Sequence, residues 1–342
     1  MLSFKKTNFL FLIFILLVGF SCSNKKYIKH NDNFYSMGTS VEITFFSKKV
    51  SDKKLLEGCY ELSKVLENKV SSKLDNTIIS KLNISKKAAI TDAFSLNLLK
   101  DALFYAKETS GAFEPTIYNL SNLWGFVKED YKIPSQKSIL ENLAKTSYAN
   151  ILINGNVVTL NNNAALDLGA IAKGKIVDEI STYLEKNGVK NYLVNAGGDL
   201  YISGKYNDER LWKVGIINPF SKNNILGYME LTGCSIVTSG DYERNFTGND
   251  GILYHHIIDG KTGYPVKNGM HSITVIADNA EKADALATAL FVMGSKEALK
   301  FLSDKKDIQA IFIEGAEADY KIITTDRISY SKEKELWKFE LK

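Results

Sequence analysis

Hydrophobic and polar residues repeat along this chain with two different periods, and each period predicts a type of element. Over residues 53–70, leucine, valine and cysteine recur three or four positions apart, which is typical of an amphipathic helix. Residues 37–46 alternate between apolar and polar positions, which predicts a strand. The same reasoning predicts helices over residues 92–109, 171–186 and Ala280–Met293.

Turn-forming residues between short apolar runs predict hairpins. Asn154-Gly155 separates apolar runs at residues 151–153 and 157–159, which favours a tight hairpin. Residues 308–324 are expected to form a second hairpin, and its two strands are expected to be the last of the chain. Because short strands and a few helices alternate without a repeat, we expect an α+β fold with mixed, largely antiparallel sheets and packed helices.

Composition refines this picture only slightly. The chain has 342 residues, of which 45% are hydrophobic and 24% are charged, as in ordinary globular proteins. Its formal net charge of +4 is too small to indicate a nucleic-acid partner. Cys59 and Cys234 lie far apart and outside any metal-type spacing, so we expect both to be buried apolar residues.

The N-terminal residues follow the pattern of a secretory signal. Lys5 and Lys6 precede an apolar run over residues 9–20, which is too short for an ordinary transmembrane helix. Cys22 follows at the expected cleavage site and resembles the acylated cysteine of a lipoprotein, although ordinary secretion with an incidental Cys22 is the alternative. We therefore expect a signal peptide, a lipid-anchored tether and one folded domain, at residues 1–21, 22–34 and 35–342.

The segment from Asp167 to Gly174 leads from apolar residues through small ones into a helix. A helix N-terminus offers unpaired N–H groups and a positive dipole end, which suit a phosphate group. Lys173 would add a positive charge, and Gly174 would let a ligand or a neighbouring backbone approach closely. The alternative is a tight strand-to-helix turn with a solvated lysine, and the spacing alone leaves both open.

Asp284 and Thr288 lie one turn apart in the nearly wholly apolar helix Ala280–Met293. A buried carboxylate needs a compensating partner, and a hard divalent cation such as Mg²⁺ is one possibility. The alternative is a threonine bonded to its own helix and an aspartate paired with a lysine, which is the commoner arrangement.

Two further segments contain candidate polar chemistry. His255 and His256 stand on a predicted strand that runs into a polar turn, and a neutral imidazole there could accept a proton from a hydroxyl nucleophile. More commonly, a histidine on a strand only has its hydrogen bonds satisfied by the surrounding fold. The two glycines before Asp199 would let the backbone pass close to a ligand, or they form a plain turn that Asp199 caps. The local sequence favours the plain turn.

Taken together and in this order, these segments resemble the ApbE family of FAD:protein FMN transferases. The matching motifs are Met37-Gly38-Thr39, Gly111-Ala112-Phe113-Glu114-Pro115-Thr116, Leu123-Trp124-Gly125-Phe126, Asp167–Gly174 with Asp178, Gly197-Gly198-Asp199, Thr238-Ser239-Gly240-Asp241-Tyr242, His256-Ile257-Ile258-Asp259 with Thr262-Gly263, and Ala283-Asp284-Ala285 with Thr288.

The resemblance implies a single catalytic domain with a T-fold-like α+β fold. It also implies an enzyme that cleaves the FAD pyrophosphate with Mg²⁺, attaches FMN to a threonine or serine of an exported acceptor flavoprotein, and releases AMP. The protein would be an exported lipoprotein, anchored to the inner membrane and facing the periplasm. A Mg²⁺-dependent FAD pyrophosphatase and a flavin-binding lipoprotein without turnover are the alternatives.

The resemblance also assigns roles to individual residues. It implies metal ligands at the Ala170 carbonyl, Asp284 and Thr288, and it makes His256 the general base. The implied flavin contacts are Met37, Ala112, Phe113, Glu114, Asp167, Lys173 and Ile257. This chain departs from the family pattern in having Glu114 for aspartate, Gly260 for proline, and no aromatic residue over residues 71–76.

Overall fold

The computed structural model describes residues 26–331 and 336–339. Cys22, the predicted signal peptide and the first residues of the predicted tether lie outside the described residues. Within the described part of the chain, no helix is both long enough and apolar enough to span a membrane.

Seventeen strands are present among the described residues. The first nine are β1 Ile28–Ser36, β2 Thr39–Ser47, β3 Lys87–Ala89, β4 Ile151–Asn154, β5 Val157–Leu160, β6 Asn191–Ala196, β7 Asp199–Ser203, β8 Trp212–Asn218 and β9 Ser221–Leu231. The others are β10 Cys234–Gly240, β11 Asn245–Thr247, β12 Leu253–His255, β13 Met270–Ala277, β14 Gln309–Ala316, β15 Asp319–Thr324, β16 Ile328–Ser331 and β17 Leu336–Phe339.

The main sheet has eight strands in the order β1-β2-β6-β7-β10-β13-β14-β15, and every neighbouring pair is antiparallel. A four-stranded sheet, β16-β17-β9-β8, is antiparallel except where β17 runs parallel to β9. Strands β3-β5-β4 and β11-β12 form two smaller antiparallel sheets. The predicted antiparallel character is confirmed.

The described residues contain eight α-helices. They are α1 Lys54–Val70, α2 Ile78–Ser85, α3 Ala93–Glu108, α4 Tyr118–Leu123, α5 Gln136–Leu143, α6 Gly169–Lys186, α7 Ala280–Met293 and α8 Ser295–Leu302. The helices that the periodicity predicts are confirmed with boundary shifts of at most two residues, and the bounds of α7 match the prediction.

Helices cover one face of the main sheet and the four-stranded sheet covers the other. Along β2, Ile43 and Phe45 are buried in the core formed with α1, α3 and α6. Phe46 points the other way and packs with Trp212 of β8. The strand therefore alternates apolar and polar residues as predicted, and only at its end, where Phe46 follows Phe45, are both faces buried. Cys59 and Cys234 are buried and unpaired, as predicted.

The contact between α6 and α7 positions the site described below. Gly174 of α6 lies so close to α7 that an added Cβ would be 2.2 Å from the carbonyl oxygen of Ala280. Asp178, one turn further along α6, accepts hydrogen bonds from the backbone N–H groups of Ala280 and Glu281 at 2.8 and 2.9 Å. Burial raises the pKa of Asp178 to about 6 against the opposing effect of these bonds. The first turn of α7 is therefore held by a carboxylate of α6.

Two expectations about chain organisation are wrong. Residues 28–34 of the predicted tether belong to β1, whose His30 is buried and stacks on Phe45 at 4.8 Å. The strand is polar because it forms an edge of the sheet, where one side is open to solvent. The β14–β15 hairpin is present but is not last, since β16 and β17 follow it.

Candidate active site

A cleft opens where the N-terminus of α6, the middle of α7 and the turns after β1, β6 and β10 come together. Every predicted site residue of the folded domain lines this cleft. These residues are Met37, Ala112, Phe113, Glu114, Asp167, Ala170, Lys173, His256, Ile257, Asp284 and Thr288. The structure thus brings together residues from distant parts of the sequence, while the role of each stays a prediction.

Met37 enters the cleft on the two-residue turn between β1 and β2. Met37 and Gly38 have φ values of 56° and 71°, which is the left-handed geometry that tight hairpins require. A methionine rarely adopts this backbone conformation, so its neighbours must hold it there. Glu67 of α1 does so by accepting hydrogen bonds from the Met37 N–H at 2.8 Å and from the Ser36 hydroxyl at 3.0 Å.

The N-terminus of α6 faces the same cleft, which is the position expected of the phosphate-binding site that the sequence suggests. Asp167 is half-buried just before the helix, and its Oδ1 accepts a hydrogen bond from the Gly169 N–H at 2.9 Å. Gly174 faces α7 and its N–H donates to Asp284 Oδ2 at 3.1 Å. Of the two roles open for Gly174, the structure shows close approach of a neighbouring backbone.

Lys173 forms the centre of a buried ion-pair cluster. Its Nζ lies 3.1 Å from Asp199 Oδ2 and 3.2 Å from Asp284 Oδ1, and both carboxylates are almost wholly buried. Burial lowers the pKa of Lys173 but the two carboxylates raise it more, so it stays above its ordinary value. Burial and the neighbouring Asp284 hold the pKa of Asp199 well above its usual range.

This cluster corrects two local interpretations. Lys173 is not a solvated lysine, because its charge is matched by two carboxylates. Asp199 is not the cap of a plain turn, because it is buried and aimed at Lys173. Asp284 does pair with a lysine, as the commoner arrangement predicts. Its carboxylate also accepts a hydrogen bond from the Gly174 backbone N–H.

The donor set at the cluster fits a hard divalent cation. The Asp284 carboxylate, the Thr288 hydroxyl and the Ala170 backbone line one cleft, and oxygen ligands of this kind suit Mg²⁺. One ammonium group faces two buried carboxylates, an arrangement that a further cation beside Asp284 would stabilise. Among the described residues, no group of three or more His, Cys, Asp or Glu side chains could hold a metal, so Thr288 and Ala170 would have to contribute.

His256 projects into the cleft just after β12 ends at His255. Its Nδ1 lies 3.3 Å from the carbonyl oxygen of Arg244, which also accepts the His256 backbone N–H at 3.0 Å. Because a carbonyl can only accept, Nδ1 must carry the hydrogen, which leaves Nε2 free to take a proton. Burial, helped by Arg244 and His255, lowers the pKa of His256 well below 6.5, so the ring is neutral at neutral pH.

His255 has a different environment from His256. It is buried, its Nε2 contacts the Val266 carbonyl oxygen at 2.9 Å, and its ring meets the Phe291 ring edge-on. Only His256 of the two lines the cleft, and only His255 lies within the strand itself.

Glu114 is occupied by hydrogen bonds at the rim of the cleft. Its carboxylate accepts from the N–H and hydroxyl of Thr116 at 2.9 and 2.6 Å and from the Tyr148 N–H at 2.9 Å. Burial raises the pKa of Glu114 despite these bonds. Gly260 lies against this side chain, since an added Cβ would be 2.9 Å from Glu114 Cγ. Two departures from the family pattern are therefore neighbours, and a side chain at position 260 would force the Glu114 side chain to shift.

Sequence reasoning missed four charged residues of the cleft: Lys73, Asp199, Glu243 and Arg244. Asp199 could have been suspected, since it stands inside a matching motif directly after a buried strand. Lys73 and Arg244 stand in polar loops, and nothing in their local sequence distinguishes them from solvated surface cations.

Comparison with known proteins agrees with this site. The family model described as the ApbE family matches residues 37–312 of the chain. A FAD:protein FMN transferase of Treponema pallidum is 31% identical over 298 residues, covering 81% of this chain and 82% of that protein. One of Vibrio cholerae is 32% identical over 274 residues, covering 77% and 81%.

Solved structures show the same fold. The crystal structure of the ApbE protein from Thermotoga maritima has a TM-score of 0.80 at 33% identity, covering 88% of this chain and 97% of that one. The flavin transferase ApbE from Vibrio cholerae has a TM-score of 0.79 at 27% identity, covering 88% and 98%. The chain belongs to the ApbE family, and the predicted family and α+β fold are confirmed.

Proposed function

We propose that this protein is an FAD:protein FMN transferase, which cleaves the FAD pyrophosphate and attaches FMN to a threonine or serine of an acceptor protein. The observation that best supports the proposal is the cleft itself. It contains a neutral imidazole with a free Nε2, a helix N-terminus and a charged cluster rich in oxygen donors. These are the groups that phosphoryl transfer requires for proton removal, phosphate binding and charge neutralisation.

In the proposed reaction, His256 Nε2 takes the proton of the acceptor hydroxyl. The hydroxyl oxygen then attacks the phosphorus on the FMN side of the pyrophosphate, and the bond from that phosphorus to the bridging oxygen breaks. AMP leaves with the bridging oxygen, and the acceptor keeps FMN through a phosphoester. The α6 N-terminus and Lys173 contribute positive potential beside the phosphate groups.

The residues that would hold Mg²⁺ are Asp284, Thr288 and the Ala170 carbonyl. When bound, the cation would neutralise charge on the pyrophosphate oxygens as a Lewis acid. Lys173 positions the Asp284 carboxylate from one side, and the Gly174 N–H fixes it from another. The protein's contribution is thus to present a pre-oriented carboxylate whose partners are already in place.

A second candidate is an FAD pyrophosphatase, in which water replaces the acceptor hydroxyl. One feature favours it. Residues 71–76 flank the cleft without an aromatic ring, and a stacking platform contributes about 1–3 kcal/mol per base elsewhere. Weaker retention of FAD would leave more room for hydrolysis. A flavin-binding lipoprotein without turnover is the third candidate.

One incubation separates the three. The purified protein is mixed with FAD and Mg²⁺, with and without an exported flavoprotein that offers a threonine or serine acceptor. Yellow fluorescence that stays on the acceptor in a denaturing gel supports transfer. Free FMN and AMP in both arms support hydrolysis, and unchanged FAD supports binding alone. The matched pair His256→Ala and His255→Ala shows whether product formation depends on the cleft imidazole.

We also propose that the enzyme acts outside the cytoplasm as a lipoprotein anchored through Cys22, so that its acceptor is an exported flavoprotein. The basic residues, apolar run and cysteine near the N-terminus support this. Cys22→Ala should release the protein from the membrane fraction or leave it unprocessed. Recovery of the wild type in the soluble cytoplasmic fraction would overturn the proposal.

A further inference from the structure

A second cavity adjoins the cleft on the side of α1 and the loop that follows it. Its walls are mainly apolar and include Val70, Leu74, Leu168 and Ile176. The two cavities share a boundary made of Met37, Gly38, Lys73, Asp167, Gly169, Lys173 and Arg244. A ligand that fills both cavities must therefore pass between the charged side chains of this boundary.

Two of the boundary cations are not engaged in an ion pair, although Asp167 lies on the same boundary. Lys173 is engaged by two carboxylates. In the described part of the chain, by contrast, the side chains of Lys73 and Arg244 form no ion pair within 4.0 Å and no hydrogen bond. Partial burial and the Arg244 guanidinium lower the pKa of Lys73, against weaker opposing effects of Asp167 and Glu129. Two like charges face a shared space, an arrangement that gains from an anion between them.

The backbone around both cations is fixed. Ser71 Oγ accepts hydrogen bonds from the N–H groups of Lys73 and Leu74 at 3.2 and 3.3 Å, which folds the loop into a turn. The carbonyl oxygen of Arg244 is held by His256, through the backbone N–H at 3.0 Å. Arg244 therefore connects the boundary between the cavities to the imidazole that would act as base.

From this arrangement we infer that Lys73 and Arg244 form the anion subsite that binds the pyrophosphate of FAD at the boundary between the two cavities. The inference rests on the proposed function. A dinucleotide has a bulky ring system at each end and its charge in the middle, which matches two cavities joined at a cationic boundary. Residues 71–76 contain no aromatic ring that could stack on FAD, and the charges of Lys73 and Arg244 hold the dinucleotide instead.

Attraction between charges at an open boundary is screened by salt, whereas stacking is screened far less. FAD affinity should therefore fall steeply with ionic strength. Removing either cation should weaken FAD binding by about tenfold at low salt, the usual size of a charge-assisted contact. It should also flatten the dependence of affinity on salt, because fewer ions are displaced on binding.

The test measures FAD binding by fluorescence titration in the presence of chelator, from 25 to about 300 mM KCl. Lys73→Met and Arg244→Met are compared with Lys107→Met, an exposed lysine that lines neither cavity. Inorganic pyrophosphate serves as a competitor. We expect about tenfold weaker FAD binding and weaker competition in the first two variants, near wild-type values for Lys107→Met, and recovery in Lys73→Arg.

Equal affinities and equal salt slopes in all variants, with wild type binding FAD normally, would overturn the subsite and leave the proposed function intact. Failure of the wild type to bind FAD both in chelator and in Mg²⁺ would instead overturn the proposed function. Thermal unfolding of each variant shows that it is folded, so a loss of affinity reports on the ligand contact.

Discussion

Replacing Lys173 by methionine should destabilise the protein strongly, because it removes the only ammonium group that contacts Asp199 and Asp284 in the described structure. The two carboxylates are 2% exposed as residues, so water cannot take over the role of the lysine. Breaking a buried pair by deleting one partner costs about 3–5 kcal/mol. For a domain of this size that is a fall of roughly 5–15 °C in the melting temperature.

The sign of the pH dependence follows from the carboxylates. Burial and Asp284 already hold the pKa of Asp199 well above its usual range, and without Lys173 it rises further, so the folded state binds protons more readily than the unfolded chain does. The stability deficit should then be largest at alkaline pH and should shrink as pH falls towards 3.8, the ordinary value for aspartate. Mg²⁺ should restore part of the lost stability, by about 1.4 kcal/mol at ten times its dissociation constant.

The assay is thermal unfolding by circular dichroism between pH 5 and 8, with and without Mg²⁺. Lys213→Met is the matched control, since Lys213 and Glu230 form an ion pair with side chains 47% and 44% exposed. An exposed pair contributes about 0–1 kcal/mol, so this control should melt close to wild type. The electrostatic reasoning is refuted if Lys173→Met is no less stable than Lys213→Met, or if its deficit grows as pH falls.

Three further variants test separate parts of the site. His256→Ala should lose most transfer, about 10²–10⁴-fold, while FAD binding survives and His255→Ala retains more activity. Because burial keeps the His256 imidazole neutral, the acid limb of the pH–rate profile should lie below pH 6.5, and a limb above that value would argue for another base. Asp284→Ala should abolish FAD cleavage in a folded protein; full activity, or activity unchanged in excess chelator, contradicts the metal assignment. Gly174→Ala should destabilise the α6–α7 contact by about 1–3 kcal/mol or more, because its Cβ has no room beside Ala280, and an unchanged melting temperature would show that the helices can separate at no cost.

Local periodicity predicted the helices well because each buries a long apolar stripe. Helix α7 is the clearest example: Asn279 caps it, Gly294 ends it, and its interior is apolar nearly all round. Strand β1 escaped prediction because its evidence is not local. It is polar, and only its pairing with β2 and the stacking of His30 on Phe45 make it part of the fold.

The candidate site divides in the same way. Residues within matching motifs, such as His256 and Asp284, could be nominated from the sequence because their types and order resemble a family. The partnership of Lys173 with Asp199 could not, since 26 positions separate them along the chain and only the packing of α6 beside β7 brings them together. Long-range electrostatics of this kind depends on tertiary packing, which no local pattern encodes.

The mass of the acceptor tests most directly whether this protein moves FMN onto another protein. An exported flavoprotein with an accessible threonine or serine is incubated with the enzyme, FAD and Mg²⁺, then denatured and analysed by intact-mass spectrometry while released AMP is quantified. We expect an acceptor heavier by one covalently attached FMN, with one AMP released for each FMN attached. AMP and free FMN in equal amounts beside an unmodified acceptor would contradict it.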